Sequence, residues 1–104
     1  MAGEIATRES LQAIVDEFGE DHIIGFQFDS DHTERYVPGA RQFSMNDVVD
    51  YGDTTYIRAC TNANDVKTGK LDKPIFALYP MQTIHTIYVA DKDVDMNRVD
   101  YKYW

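Results

Sequence analysis

The apolar positions near the start of the chain follow a helical period. Every third or fourth residue is apolar there, and these positions are Leu11, Ile14, Val15 and Phe18. This i, i+3, i+4, i+7 spacing places the four side chains on one face of an α-helix. Thr7 belongs to the residue types that cap helices, and Gly19 to those that end them. The sequence therefore predicts a helix over residues 7–18 whose apolar face packs against the rest of the protein.

After His22 the period changes to two, which is the period of a β-strand. The large side chains of Ile24, Phe26 and Phe28 are predicted to project to one side of a half-buried strand. β-Branched and aromatic residues are frequent in several later segments, which we also predict to be extended. These segments are residues 36–37, 41–43, 54–60, 75–79 and 83–89.

Polar and turn-forming residues separate the predicted strands. Residues 29–35 are all polar or charged and predict a turn or loop. Ser44 and Asp47 match a capping box, which predicts a helical turn through residues 48–49. Pro80 has no N–H to donate to a strand ladder, so a kink or turn is predicted at that position.

One helix followed by four or five short strands is typical of an α+β fold. We predict a single domain, residues 1–104, with the N-terminal helix packed on a four- to five-stranded antiparallel sheet or a small barrel. Within residues 54–90 the predicted order is strand, variable loop, strand, tight turn and strand. This order, after an N-terminal helix, resembles the latter half of Sm-like barrels. The resemblance implies architecture only, because no motif residue accompanies it.

The chain of 104 residues is acidic, with 18 Asp and Glu against 10 Lys and Arg and a formal net charge of −8. Duplex nucleic acid and anionic membranes are bound through clustered basic side chains, so neither is expected to be the main partner. No stretch approaches the ~20 apolar residues of a membrane-spanning helix. Cys60 is the only cysteine, which excludes an internal disulfide and a multi-cysteine zinc site. We therefore expect a cytoplasmic protein.

No arrangement of residues typical of catalysis occurs in the sequence. The serines lack a G-x-S-x-G motif, and there is no glycine-rich phosphate loop. Cys60 and either His22 or His85 are the residue types of a thiolate–imidazole pair, but the end of a predicted strand is a typical place for a structural cysteine. The sequence thus predicts a non-enzymatic protein that needs no cofactor.

One polar segment combines side chains that bind divalent metal ions. Asp29, Asp31, His32 and Glu34 fall within six residues, and carboxylates with an imidazole can hold such an ion. A solvated loop explains the same residues, and we predict no metal site. The alternative, a small metal-dependent enzyme that uses residues 29–34, stays open.

The acidic residues are concentrated before residue 54. Six of them form the predicted partner-binding set: Asp29, Asp31, Glu34, Asp47, Asp50 and Asp53. Carboxylates spaced along a small rigid protein can imitate a phosphate backbone and occupy a basic groove of another protein. In size and charge the chain resembles the small acidic inhibitors that phages encode against host defence, including the anti-CRISPR class. The resemblance implies a host defence protein with a basic nucleic-acid-binding surface as the partner, and the host cytoplasm as the location.

A second interpretation belongs to a different functional class. Arginine side chains beside aromatic ones can bind a small nucleotide-type anion by charge and stacking. The candidate residues are Arg35, Tyr36, Arg41, Phe43, Tyr56 and Arg58. In this interpretation the protein is a homo-oligomer that sequesters its ligand. At the end of the chain Tyr101, Tyr103 and Trp104 are predicted to form either a last strand or a contact surface.

Overall fold

The structure, a computed structural model, describes residues 6–29, 31–36, 42–61, 67–70 and 72–98. The regular elements of these residues are one α-helix and six strands. They are α1 (Arg8–Phe18), β1 (Ile23–Phe28), β2 (Thr33–Arg35), β3 (Val48–Tyr51), β4 (Thr54–Cys60), β5 (Phe76–Pro80) and β6 (Ile84–Val89). Short 3₁₀ helices lie at Glu20–His22, Met45–Asp47, Met81–Thr83 and Met96–Arg98. No helix within these residues is long and apolar enough to cross a membrane.

The predicted N-terminal helix is confirmed. The Ser10 N–H donates to the Thr7 Oγ1 at 3.0 Å and the Thr7 N–H donates to the Ser10 Oγ at 2.9 Å, so two N–H groups at the start of α1 are satisfied. Gly19 ends the helix with a φ of 96°, a conformation that glycine adopts without strain. Leu11 is completely buried, and Ile14 is half-buried against the same core. Leu11, Ile14 and Val15 therefore pack on the core as their spacing predicts, whereas Phe18 at the end of the helix is half-buried and is not part of the described core.

The strands form two antiparallel sheets of three strands each, among the residues that the structure describes. The first sheet has the order β2-β1-β6 and the second has the order β3-β4-β5. The α+β class is confirmed, but the strands are divided between two sheets where we expected one sheet of four or five strands or a small barrel. The difference comes from β2 and β3, which lie in segments predicted to be a loop and a helical turn.

Both unexpected strands form because each of them pairs with a neighbouring strand. Thr33–Arg35 pairs with β1 although it lies in the polar stretch predicted as a loop. The capping box at Ser44 does begin a 3₁₀ helix, but that helix ends at Asp47. Val48 and Val49 then pair with β4, because β-branched side chains fit an extended backbone better than a helical one. The prediction of a helical turn through residues 48–49 is therefore wrong.

A register shift in β1 changes which side chain enters the core. The pairing of β1 with β6 is irregular between Ile23 and Gly25. Ile23 is therefore buried and Ile24 is only half-buried, whereas Phe26 and Phe28 are both buried as predicted. The predicted shared face of Ile24 with the two phenylalanines is wrong for that reason.

The core is made by the inner faces of both sheets together with α1. Phe26 lies at its centre, with edge-to-face contacts to Tyr36 and Phe43 at ring-centroid distances of 5.7 Å and 5.4 Å. Ile57 lies on the inner face of the second sheet and is completely buried in the core. The two sheets thus share one hydrophobic core and leave their outer faces on different sides of it.

The remaining strand predictions fall partly outside the described residues. Tyr36, Gln42 and Phe43 are described and belong to no strand, and the rest of the predicted 36–37 and 41–43 segments is not described. The C-terminal residues Tyr101, Tyr103 and Trp104 also lie outside the described residues. The predicted turn at Pro80 is confirmed, since β5 ends there and a 3₁₀ helix follows.

Candidate binding surfaces

The acids predicted to form one partner-binding set differ in how far they are exposed. Asp29 and Asp31 are exposed in the turn between β1 and β2, where Asp31 has a φ of 62°. Asp53 is exposed in the turn between β3 and β4. Glu34 is only 6% exposed, because its strand β2 turns this side chain toward the core opposite Phe26. Glu34 therefore does not present a carboxylate to a partner, contrary to the prediction.

The buried Glu34 carboxylate is held by the neighbouring histidine. The Nε2 of His32 lies 2.9 Å from the Glu34 Oε1. The His32 ring stacks on Tyr79 at a centroid distance of 5.1 Å, and Tyr79 stacks on Phe28 at 4.5 Å. Within the described part of the chain no three His, Cys, Asp or Glu side chains are placed to hold a metal ion. Asp29 and Asp31 thus lie in the turn before β2, and the His32 ring belongs to an aromatic stack with Tyr79 and Phe28.

The Asp50 carboxylate makes an ion pair and hydrogen bonds with other residues of the protein. Its Oδ2 accepts from the Arg8 Nη2 at 2.6 Å, and its Oδ1 accepts from the Thr55 hydroxyl at 2.6 Å. Arg8 also donates to the Val48 carbonyl at 3.1 Å. The hydrogen bond from Thr55, together with the charge of Arg8, lowers the pKa of the Asp50 carboxyl below its ordinary value. The Asp50 charge is therefore used mainly to tie α1 to the second sheet.

Asp47 is half-buried at the end of the 3₁₀ helix that precedes β3. Its Oδ2 accepts from the Ser44 N–H at 3.1 Å, and its Oδ1 lies 3.7 Å from the Arg58 Nη2. Burial raises the pKa of the Asp47 carboxyl above its ordinary value, although the Ser44 N–H and the Arg58 charge both act against this rise. Asp47 is thus a structural cap that also holds Arg58 in place.

The residues predicted to bind a nucleotide-type anion do not form one site. Tyr36 and Phe43 are both buried in the core, where their rings contact Phe26, so neither is free to stack on a ligand. Arg41 lies outside the described residues. Their assignment as ligand-stacking residues is wrong for Tyr36 and Phe43, because aromatic rings of this size are more strongly stabilised by the core.

Tyr56 and Arg58 instead lie on the outer face of the second sheet. Ile57 and Ala59, the residues between and after them in β4, are buried, so the alternation of a strand turns Tyr56 and Arg58 outward. Leu78 of β5 stands opposite Arg58 in the register. These side chains therefore share one face with the outward residues of β3 and β5.

Large apolar side chains are exposed on this face. Tyr51, Phe76 and Leu78 are 56%, 46% and 42% exposed. The rings of Tyr51 and Tyr56 lie 6.1 Å apart, and the Arg58 guanidinium lies over the Phe76 ring at 4.9 Å from its centroid. We define the outer face by these five residues: Tyr51, Tyr56, Arg58, Phe76 and Leu78.

Sequence reasoning identified only part of the outer face. It placed Tyr56 and Arg58 among candidate binding residues but treated residues 75–79 as an apolar strand. The available signal was that residues 75–79 are all apolar, while a sheet with one covered face can bury only alternate positions. Some of these side chains therefore had to remain exposed.

Arg35 lies at a different place, in a groove on the outer side of the first sheet. The groove has a volume of about 330 Å³ and is lined by Ile24, Thr33, Arg35, Tyr88 and Val89. In the register, Gly25 stands between Arg35 of β2 and Tyr88 of β6.

Comparison of the chain with protein-family models, with curated proteins and with solved structures finds no match.

Proposed function

We propose that the protein is a non-enzymatic acidic binding protein that occupies a surface of a partner protein through its outer face. The observation that carries the proposal is the exposure of Phe76 and Leu78 together on β5, with Tyr51 exposed at the opposite end of the same face of the sheet. Clustered exposed apolar side chains on a soluble domain are typical of interaction sites. Tyrosine and arginine, which complete the outer face, are enriched among the residues that contribute most binding energy.

Contacts within the sheet already order the side chains of the outer face before a partner binds. Tyr56 is fixed between the paired strands β3 and β5, opposite Val49 and Pro80. The Arg58 side chain is held from two sides, by the Phe76 ring and by Asp47. Side chains that are already ordered lose less conformational entropy on association, so more of the contact free energy remains for affinity.

The net negative charge of the protein favours a partner with a basic surface. The protein carries a formal net charge of −8, and the exposed Asp53 lies in the turn that joins two strands of the outer face. Opposite charges around an apolar contact raise the rate of association and exclude wrong partners. The partner surface that fits best has apolar groups at its centre and Lys or Arg around them. In the interpretation that we favour, it is the nucleic-acid-binding surface of a host defence protein.

The proposal is tested by capture of partners from extracts of the host cell. Immobilised wild-type protein is compared with the double variant Tyr56→Ala/Leu78→Ser, and captured proteins are quantified by mass spectrometry. Val94→Ser is the matched control, because Val94 is 40% exposed but follows β6 of the first sheet. We expect a basic protein that the control retains and the double variant loses by at least tenfold. Equal capture by all three proteins, or capture of no basic protein, contradicts the proposal.

A second candidate function is supported by the groove on the first sheet. Arg35 and Tyr88 offer a guanidinium and an aromatic ring to a small anion, which is the chemistry of the nucleotide interpretation with Tyr88 in place of Tyr36. A ligand that binds only the folded state raises the midpoint of thermal unfolding. We expect such a rise with a nucleotide for the wild type and its loss in Arg35→Gln, with Arg98→Gln as the control. No rise with any nucleotide contradicts this second function.

A further inference from the structure

We propose that β5 pairs edge to edge with β5 of a second copy of this chain, antiparallel and around a two-fold axis at Ala77. Among the residues that the structure describes, β5 is the last strand on its side of the second sheet. Edge strands of monomeric proteins commonly carry a charged side chain that prevents pairing with another chain. Residues 74–80 carry none. The outer edge of β5 is therefore suited to accept a further strand.

The backbone groups of Phe76 and Leu78 point to this outer edge. Cys60 stands opposite Phe76 in the register. One position further, the Thr61 N–H donates to the Ile75 carbonyl at 2.7 Å, which makes those two residues a hydrogen-bonded pair. Because such pairs alternate with non-hydrogen-bonded ones, Phe76 and Leu78 direct their N–H and C=O groups away from β4. No described residue hydrogen-bonds to these outward groups.

The opposite edge of the same sheet is closed by the protein itself. The Val48 carbonyl on β3 accepts from the Arg8 side chain at 3.1 Å, and the Val48 N–H donates to the Met45 carbonyl. Asp50 adds a charged side chain to that strand, and charge on an edge opposes pairing with another chain. Within the described residues β5 has neither device, so we place the extension of the sheet there.

The sequence around Ala77 is symmetric in residue type, which selects a second copy as the occupant. Pro74 and Pro80 lie three positions to either side of Ala77, and large apolar residues fill the positions between. In an antiparallel pair centred on Ala77, Phe76 of each copy exchanges its backbone hydrogen bonds with Leu78 of the other. The next outward position at each end is a proline, which has no N–H to donate, so the pairing ends there. A two-fold arrangement of this kind closes at a dimer.

The same pairing covers the exposed apolar side chains of this segment. Ile75, Phe76 and Leu78 are 55%, 46% and 42% exposed. Phe76 comes to lie beside Leu78 of the second copy on the outer face, and Ile75 beside Tyr79 of the second copy on the inner face. The nearest charge along the strand, Lys73, lies roughly 25 Å from its counterpart at ~3.3 Å per residue, beyond the screening length of ~10 Å at 0.1 M salt. Repulsion between these lysines therefore does not oppose the pairing.

The first test is sedimentation velocity of the full chain from roughly 10 µM to 1 mM, the range suited to a weak complex. One strand edge is a small interface, so we expect a reversible rise from the mass of one chain toward twice that mass. Leu78→Pro removes an outward N–H and no bond to β4, and Phe76→Lys adds a charge without changing the backbone. Each should weaken the dimer at least tenfold.

Tyr51→Lys is the matched control, because Tyr51 is 56% exposed on the same outer face but lies on β3. We expect this variant to dimerise as the wild type does. A chain that stays monomeric at every concentration, which leaves the edge to a strand of another protein, overturns the proposal. Assembly beyond a dimer, or equal weakening by the control, overturns it too. The pairing does not rest on the proposed function, since neither experiment contains a partner protein.

The second test is cysteine cross-linking, which locates the two-fold axis. On a Cys60→Ser background, Ala77→Cys places the thiols of two copies opposite each other in a non-hydrogen-bonded pair, where a Cα separation of ~4.5 Å allows a disulfide. Ile75→Cys is the control, because in this register position 75 faces Tyr79 of the second copy. We expect a covalent dimer of Ala77→Cys on air oxidation and at least tenfold less of Ile75→Cys. Equal cross-linking of the two, or none of Ala77→Cys, overturns the proposal.

Discussion

Asp50 illustrates how a surface acid of this protein serves the fold. It joins Arg8 of α1 to Thr55 of β4 through two hydrogen bonds of 2.6 Å each. Because Arg8 also reaches the Val48 carbonyl, the three side chains connect the first turn of the helix with two strands. An exposed ion pair by itself contributes little to stability, and the geometry here adds hydrogen bonds to it.

Asp50→Asn is expected to reduce stability in a way that depends on pH. The pKa of Asp50 is lowered in the folded protein, so its stabilising effect is full above the unfolded pKa of about 4 and is lost as the pH falls through the folded pKa. The variant should therefore be less stable than the wild type near pH 7, with the difference shrinking below pH ~4. Chemical denaturation at several pH values measures this. A difference that stays constant down to pH ~2 contradicts the prediction.

The residues assigned wrongly from sequence are those whose role depends on distant contacts. Tyr36 and Phe43 follow polar segments and each lies close to an arginine in the sequence, so local chemistry favoured a ligand site. Their burial is decided by Phe26, which belongs to another segment of the chain. Glu34 is a similar case, since the pairing of β2 with β1 turns it inward. No local pattern contains these contacts.

At the scale of elements, α1 is stabilised through one fully buried side chain. Leu11→Ala is expected to lower the free energy of unfolding by about 2–5 kcal/mol, because it leaves a cavity between the helix and the sheets. Ile14→Ala should cost less, since Ile14 is half-buried. The exposed Ala13 provides the control variant Ala13→Ser. A loss within experimental error for Leu11→Ala would show that the helix is not packed on the core.

Long segments with strong patterns were predictable, whereas short ones were not. The predicted strand at residues 54–60 coincides with β4. The one at 83–89 begins one residue before β6, and the one at 75–79 is shifted by one residue from β5. In contrast, β2 has three residues of the polar type found in loops, and it is extended because β1 pairs with it. Pairing between strands is a tertiary effect that overrides local preference.

At the scale of the whole molecule, part of the acidic charge is neutralised internally. Arg8 is paired with Asp50, Lys92 lies 3.6 Å from Glu17 and Arg98 lies 3.6 Å from Asp95. The composition gives the net charge of the protein. These ion pairs decide which of its acidic side chains remain available to contact a partner. Asp53 remains exposed beside the outer face, which makes it the acid most relevant to partner binding.

Asp53→Lys is expected to slow association with the captured partner several-fold at low ionic strength. The effect should fade as salt rises, because exposed charges are screened beyond about 10 Å at 0.1 M salt. Asp93→Lys changes the net charge equally but lies in the turn after β6, and it serves as the control. Surface plasmon resonance at several salt concentrations measures both rates. Equal slowing by the two variants would show that only net charge matters.

Hydroxyl-radical footprinting of the complex with the captured partner tests most directly whether the outer face is the binding surface. Oxidation rates of individual side chains are compared by mass spectrometry with and without the partner. We predict strong protection of Tyr56, Phe76 and Leu78, and unchanged oxidation of the similarly exposed Val94. Unchanged oxidation of the outer face, with protection of Tyr88 on the first sheet instead, would contradict the proposed function.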